Sequence, residues 1–293
     1  MAERVQKVLA RLGYGSRRQV EGWIAAGEVR VNGRACELGT TVTQQDRLTV
    51  RGRPVRRERA PVRPKVLLYH KPAGEVTTRR DPERRPTVFD RLPRLRTGRW
   101  VTVGRLDVNT SGLLLLTDDG DLAHRLMHPS YEMPRVYAAR VLGPVPAEAL
   151  LRLSEGIELD DGPARFEHIE PMGAGDSGHN AWYRVTLREG RQREVRRLWE
   201  GVGITVSRLI RIGFGPVELP RDLWQGNYRA LAGAEVDRLL ARVGLREPSG
   251  PRRRRPAVGS AAAARRTGRP AGPVTTRTRP QTSGRPKNVR KSS

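Results

Sequence analysis

The sequence VGRLDVNTSGLLLLTDDG, residues 103–120, contains the pattern that decides the fold. Its four consecutive leucines, Leu113 to Leu116, form the longest purely aliphatic run of the chain and follow a polar turn at 109–112. A short apolar run bounded by turn residues is typical of a buried strand. Asp107 precedes the turn, among side chains that can donate hydrogen bonds. A carboxylate in that position can stay ionised and act as a nucleophile or a base.

Two further features of this segment bear on its chemistry. Arg105 lies two residues before Asp107, which in an extended segment puts both side chains on one face. Residues 107–112 also match four positions of an EF-hand calcium loop. The flanks do not fit that motif, because 100–103 is predicted as a strand and leucines fill positions that should be polar. The segment therefore favours a catalytic aspartate over a calcium ligand.

Outward from this segment, short apolar runs alternate with amphipathic stretches. The predicted strands are Val66–His70, Trp100–Val103, Leu113–Leu116, Arg135–Val141, Trp182–Leu187 and Val206–Ile212. The predicted helices are Asp121–Met127, Pro146–Glu155, Gln192–Gly201 and Ala234–Val243. Regular βαβ spacing is absent, so the pattern predicts an α+β domain and not a doubly wound parallel sheet. Three tryptophans, Trp182, Trp199 and Trp224, are predicted to lie in its core.

The first fifty residues form a separate pattern. Apolar residues at helical spacing predict a helix from Val5 to Leu12, and Ser16 is predicted to cap a second helix, Arg17–Ala26. Two strands, 28–31 and 48–50, and a hairpin turn at Asn32–Gly33 are predicted to follow. This is the pattern of a small α+β module.

The charge of the chain points to a polyanionic partner. Lys and Arg number 56 against 31 Asp and Glu, a net charge of +25, and each cation placed on a phosphate releases a condensed counterion. Residues 246–293 contribute +13, with seven prolines and no aromatic residue, so we expect a disordered basic arm. Residues 51–65 contain seven basic residues and three prolines, which predicts an extended linker. The predicted divisions are 1–50, 51–65, 66–244 and 245–293.

Other residue patterns limit the class of protein. Cys36 is the one cysteine, so no internal disulfide can form, which fits a reducing cytosol. The first residues lack an apolar signal core, and the basic runs lack apolar anchors for a membrane, so we expect a soluble cytoplasmic protein. His124 and His128 are four residues apart, but no third ligand is evident. No metal-ligand cluster and no glycine-rich phosphate loop is predicted.

The stretch GYGSRRQVEGWIAAGEVRVNGR, residues 13–34, resembles the S4 RNA-binding domain. In that family the second helix and the turn before it face RNA phosphates. The resemblance implies RNA contacts at Ser16, Arg17, Arg18 and Gln19, with Lys7 and Arg11 nearby. Paired arginines at a helix start suit a phosphate, because the helix dipole and both guanidinium groups attract it. The alternative is an ordinary solvated helix N-terminus.

Residues 103–120 resemble the signature of pseudouridine synthases of the small-ribosomal-subunit type. Further motifs of that family follow its order, at His70–Gly74, Arg135–Tyr137 and Leu187–Trp199. The third motif departs from the family where Glu194 stands in place of a common glutamine, a difference that bears on local surface contacts. The resemblance covers about residues 3–244. It implies a catalytic domain built on a mixed, largely antiparallel sheet with flanking helices.

The resemblance also assigns roles within the site. Asp107 would be the catalytic aspartate, acting at the ribose or the uracil, either as a covalent nucleophile or by abstracting a sugar proton. Arg196 would pair with it, and Tyr137 would stack on the flipped uracil and assist proton removal from C5. Arg105 would fill the gap left by the extruded nucleotide. Lys71 would help to order the site.

The implied activity is the isomerisation of uridine to pseudouridine in ribosomal RNA. Within the family, the resemblance implies large-subunit (23S) rRNA near the peptidyl transferase region, as free RNA or as an assembly intermediate. Atoms are conserved in this reaction, so no cofactor, metal or nucleotide is expected, and the protein is expected to act as a monomer. A second hypothesis is a noncatalytic S4-type RNA-binding protein of ribosome assembly.

Overall fold

The computed structural model describes residues 2–57, 63–174 and 180–245 of the chain. The predicted basic arm and the middle of the predicted linker lie outside the described residues. No helix in the described ranges is long and apolar enough to cross a membrane.

The N-terminal part contains two helices and a small sheet. Its elements are β1 (Glu3–Arg4), α1 (Val5–Arg11), α2 (Arg17–Ala25), β2 (Val29–Val31), β3 (Arg34–Ala35), β4 (Thr41–Val42), β5 (Leu48–Val50) and β6 (Arg53–Pro54). Strands β3, β2, β5 and β6 form an antiparallel sheet in that order, and β1 pairs with β4. Because Arg53 and Pro54 extend this sheet, the first residues of the predicted linker belong to the N-terminal fold.

Local sequence signals explain the two helices of this part. The Ser16 side chain accepts a hydrogen bond from the Gln19 amide, and the Gln19 side chain accepts one from the Ser16 amide. This reciprocal capping box confirms the predicted start of α2. Both helices bury apolar side chains, including Leu9 and Val20, in a core of their own beneath the small sheet. At the predicted hairpin turn, Asn32 has a φ of 51° and Gly33 a φ of 85°, as a two-residue type I′ turn requires.

The larger part is built on strands of very different lengths. They are β7 (Val66–Lys71), β8 (Val101–Val103), β9 (Thr110–Thr117), β10 (Arg135–Leu142), β11 (Ile157–Leu159), β12 (Gly162–Ala164), β13 (His168–Ala174), β14 (Asn180–Leu187), β15 (Val206–Phe214), β16 (Val217–Glu218) and β17 (Tyr228–Ala230). The central sheet has the order β13-β14-β10-β15-β9-β7-β17, with β8 beside β9 and β16 beside β15. Among these strands β9 and β15 pair in parallel, and every other pairing is antiparallel. The predicted mixed, largely antiparallel sheet is confirmed.

Both faces of the central sheet are buried. Along β9, Leu114 and Leu116 face one apolar cluster, and Leu113 and Leu115 face the other. The four-leucine run is therefore continuous, and not alternating with polar residues, because helices cover both of its faces.

The helices of the larger part lie on opposite sides of the sheet. They are α3 (Gly120–Met127), α4 (Ala147–Glu155), α5 (Glu194–Glu200) and α6 (Gly233–Arg242), with a short 3₁₀ helix at Pro129–Tyr131. Apolar side chains of α3 and α6 pack in one cluster, and those of α4 and α5 pack in the other. All four match predicted helices to within two residues at each end.

The sequence predicts that all three tryptophans lie in the core, but the structure confirms this for only part of the set. Trp199 is fully buried against Phe166 and Tyr183, but Trp182 is only partly buried and Trp224 is 77% exposed. Trp224 lies in the loop between β16 and β17, outside both faces of the sheet. The prediction is wrong for Trp224, because an apolar residue type does not reveal whether a loop covers it.

Candidate active site

Asp107 lies in the loop that joins β8 to β9. Backbone hydrogen bonds fix the shape of this loop, since the Thr110 amide donates to the Asp107 carbonyl at 3.0 Å and the Gly74 amide donates to the Val108 carbonyl at 2.8 Å. The Thr77 hydroxyl adds a hydrogen bond of 2.9 Å to the Leu106 carbonyl. The segment after β7 therefore holds the loop, and the Asp107 side chain stays partly exposed.

Lys71 is a fully buried cation beneath this loop. Its ammonium donates to the carbonyls of Pro72, Asp107 and Thr110 at 2.9, 3.1 and 2.9 Å. Burial lowers the pKa of Lys71 to about 8, against the opposing effect of the nearby Glu75 and Asp107 charges. The ammonium thus fixes the backbone on both sides of the turn and brings positive charge to the Asp107 carboxylate.

Arg196 approaches the same loop from α5. Its guanidinium donates to the Val206 carbonyl at 2.7 Å and to the Asn109 carbonyl at 3.1 Å. Burial lowers the pKa of Arg196, and the charge of Asp107 opposes that shift. No ion pair within 4 Å joins Arg196 to Asp107 in the described part of the chain. The predicted direct pairing is therefore not seen in the described residues, and two of the guanidinium donors bind backbone carbonyls instead.

Gly112 brings β9 unusually close to β15. Its φ is 110°, and a Cβ at this position would overlap the backbone of Arg211. Only glycine allows this approach without displacing a strand. The parallel pairing of β9 and β15 places the Asp107 loop next to the residues of β15.

Tyr137 lies on β10 directly across from Arg211 on β15. Arg211 is buried, interacts with the Tyr137 phenol and donates from Nε to the Leu113 carbonyl at 2.7 Å. Its Nη2 has no hydrogen-bond partner within the described residues. A second arginine, Arg135, also acts on Tyr137 through its charge. No hydrogen bond links Tyr137 to Asp107 in the described residues. Arg211 interacts with the Tyr137 phenol and lies in register with Gly112, which follows the Asp107 loop.

Arg211 is a candidate site residue that the sequence pattern did not single out. It sits in the run Leu209–Phe214, where an arginine between aliphatic residues is typical of a solvent-facing position on a strand. The burial of Arg211 could have been inferred from the leucines at 113–116, which predict a strand buried on both faces and therefore buried neighbouring strands.

Glu194 stands where many members of the family have glutamine, and the sequence predicts that this difference affects surface contacts. In the structure Glu194 lies inside the protein. It is 3% exposed, and one carboxylate oxygen accepts from the Arg191 amide at 3.0 Å. Burial, followed by the adjacent Glu189 carboxyl, raises the pKa of Glu194 to about 7. A protonated glutamic acid has nearly the shape of glutamine and likewise places a donor beside an acceptor, although its hydroxyl donates one hydrogen and the amide donates two. The pair Glu189–Glu194 can therefore stand in for the amide that is common at this position.

The remaining predicted RNA-contacting residues differ in whether their side chains form ion pairs within the protein. Arg105 is exposed and makes no hydrogen bond or ion pair in the described residues. Lys7 forms ion pairs with Glu3 at 3.4 Å and with Asp121 of α3 at 2.6 Å. Arg11 pairs with Glu3 at 2.8 Å. Lys7 and Arg11 thus form ion pairs within the protein, and their contact with RNA stays a prediction.

The start of α2 keeps two free cations. Ser16 and Gln19 are engaged in the capping box, whereas Arg17 and Arg18 are exposed and form no ion pair in the described part of the chain. Across the described ranges, no group of three or more histidine, cysteine or acidic side chains is placed to hold a metal ion.

Family comparisons agree with this arrangement. The family described as RNA pseudouridylate synthase matches residues 65–200, and the S4 domain family matches residues 3–48. The first match contains the Asp107 loop, Lys71, Tyr137 and Arg196, and the second contains α1 and α2. The chain belongs to the RNA pseudouridylate synthase family and carries an S4 domain at its N-terminal side.

Individual relatives narrow the resemblance within the family. The chain is 58% identical over 248 residues to the ribosomal large subunit pseudouridine synthase B of Pseudomonas aeruginosa, and this match covers 84% of the chain and 64% of that protein. It is 54% identical to the protein of the same name from Escherichia coli K12, covering 84% of each. A crystal structure of a pseudouridylate synthase superposes with a TM-score of 0.55 at 28% identity, over 80% of this chain and 99% of that one.

Proposed function

We propose that this protein isomerises uridine to pseudouridine in the rRNA of the large ribosomal subunit. The observation that carries the proposal is the loop of Asp107, whose backbone is bound from below by the Lys71 ammonium and from the side by the Arg196 guanidinium. Relatives named as large-subunit pseudouridine synthases, 54–58% identical, support the choice of substrate.

The reaction breaks the N1–C1′ bond of uridine, turns the uracil and forms the C5–C1′ bond, while the proton on C5 leaves and N1 gains one. Asp107 acts on the ribose or the uracil in its ionised form. Two buried cations, Lys71 and Arg196, bind the backbone of its loop and bring positive charge to the site. Because both cations are held by backbone carbonyls, they need not move when charge develops in the transition state.

The other site residues handle the nucleotide. Tyr137 contacts the flipped uracil and assists removal of the C5 proton, and Arg211 fixes the direction of its phenol. Arg105, which is exposed and forms no ion pair with any described residue, replaces the stacking that the extruded nucleotide loses. Flipping costs a few kcal/mol, and such a replacement offsets part of that cost.

The requirements of the protein follow from this chemistry. An isomerisation that conserves atoms needs no nucleotide cofactor, and one chain supplies all the proposed residues, so the proposed active form is a monomer. Its rRNA substrate places the protein in the cytoplasm. Exposed cations on the S4 domain and the net charge of +25 supply the attraction to RNA phosphates.

The test is the substitution Asp107→Asn in the full-length chain. Pseudouridine formation in a large-subunit rRNA transcript, mapped by carbodiimide modification, should fall by roughly 10³-fold or more, with RNA affinity within a few-fold of the wild type. Asp160→Asn, which changes an exposed carboxylate without a partner in the described residues, is the matched control and should retain activity. Pseudouridine formation at the wild-type rate by Asp107→Asn would refute the assignment.

A further inference from the structure

The connection between β7 and β8 ends in a cluster of unpaired arginines. Acidic partners bind arginines in its first part, where Arg85 pairs with Asp81 and Arg91 lies near Glu75. Its last residues, RLRTGR at 94–99, contain three arginines and no acid. None of these three forms an ion pair in the described part of the chain. The positive charge of the connection is therefore concentrated where it meets the S4 domain.

Contacts between the S4 domain and the larger part fix this meeting point. A Cβ on Gly13 would lie 2.8 Å from the Gly98 carbonyl oxygen, and one on Gly98 would lie 3.2 Å from the Arg11 carbonyl oxygen, so the two backbones touch. The ion pair of Lys7 with Asp121 ties α1 to α3 nearby. The turn before α2 is thereby held against residues 98–99.

A cavity of about 270 Å³ opens beside this contact. Arginine and aromatic side chains line it, among them Arg79, Arg94, Arg99, Phe89 and Trp100. The guanidinium of Arg79 lies 4.2 Å from the centre of the Phe89 ring. The volume is near the lower end of the range for ligand sites, about 300 Å³.

The cations around the cavity repel one another. Burial lowers the pKa of Arg99, and the charge of Arg17 on α2 lowers it further. Burial lowers the pKa of Arg79 in the same way, assisted by the charge of Arg99. Like charges held together without a counterion raise the energy of the folded chain, and a bound anion relieves this repulsion.

We infer that this cavity binds a nucleotide of the RNA substrate and that the same RNA segment continues onto Arg17 and Arg18 of α2. The guanidinium groups of Arg94 and Arg99 match a phosphate, which accepts two hydrogen bonds from one fork. Trp100 is buried and the Arg79 guanidinium covers the Phe89 ring, so the site offers cations to the phosphate of the nucleotide and not an open ring to its base. The site lies outside the Asp107 loop, and it rests on the proposed function for the identity of the RNA.

The test compares two double variants of the full-length protein that lose the same charge. Arg94→Ala/Arg99→Ala alters the cavity, and Arg152→Ala/Arg184→Ala removes two exposed arginines that have no ion pair in the described residues. The probe is a protein-free large-subunit rRNA transcript, and its Kd is measured over a series of salt concentrations. We expect the cavity variant to bind about tenfold or more weakly, with a salt slope lower by roughly one to two, and the control to bind as the wild type does. More RNA should restore the rate of the cavity variant.

Three results separate the possible failures. If the wild type makes pseudouridine and the cavity variant has the Kd and salt slope of the wild type, the cavity site alone is overturned. A wild type that makes no pseudouridine overturns the proposed function, and the binding measurements still test the cavity. A loss confined to ribosomal particles, with normal binding to protein-free RNA, overturns the inference in favour of a ribosomal protein. The single variant Arg99→Lys, which keeps the charge, should have most of the salt slope of the wild type. A melting temperature of the cavity double variant at or above that of the wild type excludes misfolding.

Discussion

The buried cations around Asp107 and the exposed arginines near the S4 domain use positive charge in opposite ways. Lys71, Arg196 and Arg211 are 9% exposed or less, and each donates to backbone carbonyls. Arg17 and Arg99 meet other cations and no carboxylate among the described residues. In the first region backbone carbonyls bind all three cations, although Arg211 Nη2 has no partner in the described residues, and the Asp107 loop is held in place. In the second region the arginines have no anionic partner among the described residues, and the RNA phosphates of the inferred site supply one.

This comparison is tested most strongly at Lys71. Replacing it with methionine in Lys71→Met removes the ammonium from three carbonyls, of which only that of Asp107 keeps a described donor, the Thr110 amide. A buried unsatisfied group costs about 1–3 kcal/mol. We expect the free energy of unfolding to fall by about 3 kcal/mol and kcat to fall by roughly 100-fold, since a misplaced catalytic group costs about that much. Urea unfolding and pseudouridine mapping measure the two effects.

The control for Lys71 lies on the same segment of chain. Lys65 is exposed just before β7, and its side chain makes no hydrogen bond in the described residues, so Lys65→Met should leave both quantities near those of the wild type. A fully active and stable Lys71→Met would show that the buried ammonium does not hold the Asp107 loop.

The role of Arg211 is tested by a pair of substitutions. Arg211→Lys keeps the charge but loses the guanidinium that contacts both the Leu113 carbonyl and the Tyr137 phenol. We expect kcat to fall by roughly 10- to 100-fold. If Arg211 acts through the phenol, the same change in a Tyr137→Phe background should have little further effect. Arg208→Lys on the same strand, where Arg208 is exposed, is the control. Independent, additive losses would contradict the linkage.

The smallest expected effect is the pH dependence that Glu194 adds to stability. The pKa of Glu194 is about 7 in the folded chain against an ordinary value of 4.5. Its contribution is therefore complete below pH 4.5 and is lost as the pH rises toward 7, because the unfolded chain releases the proton first. In Glu194→Gln the melting temperature should equal that of the wild type near pH 4 and exceed it at pH 8 by a few degrees, at roughly 2–4 °C per kcal/mol.

The matched measurement for Glu194 uses an exposed acid. Glu158→Gln changes a glutamate without a partner in the described residues, so its melting temperature should follow the wild type at both pH values. Equal melting temperatures of Glu194→Gln and the wild type at pH 8 would mean that the Glu189–Glu194 pair does not hold the proton.

The sequence predicted the elements that physical signals mark strongly. The leucine run at 113–116 gave the central strand, and the serine at 16 gave the start of α2. Strand β13 was missed, because Pro171 and Gly173 interrupt its pattern and charged residues flank them. The predicted ends of elements differ from the observed ends by a few residues. For example, β9 begins at Thr110 and not at Leu113.

The candidate site was harder to predict than the fold. The motifs point to Asp107, Lys71 and Arg196, but the two cations bind backbone carbonyls, which no residue type reveals. A charged side chain is usually solvated, so the sequence gives no sign that Glu194 is buried. Arg211 was not identified, since its burial depends on which strands lie on either side of β15.

The parallel joint between β9 and β15 determines when catalytic competence can arise during folding. Thr110 pairs with Leu209, about a hundred residues further along the chain, and such distant contacts form slowly. On either side of the joint, neighbouring strands pair in antiparallel fashion; β7, β8 and β9 form the first group along the chain, and β17, which also pairs with β7, comes after β15. A nascent chain that has only the first group therefore has the aspartate but neither Arg196 nor Arg211. RNA can be captured by such a chain, but it cannot be modified until the two halves have joined.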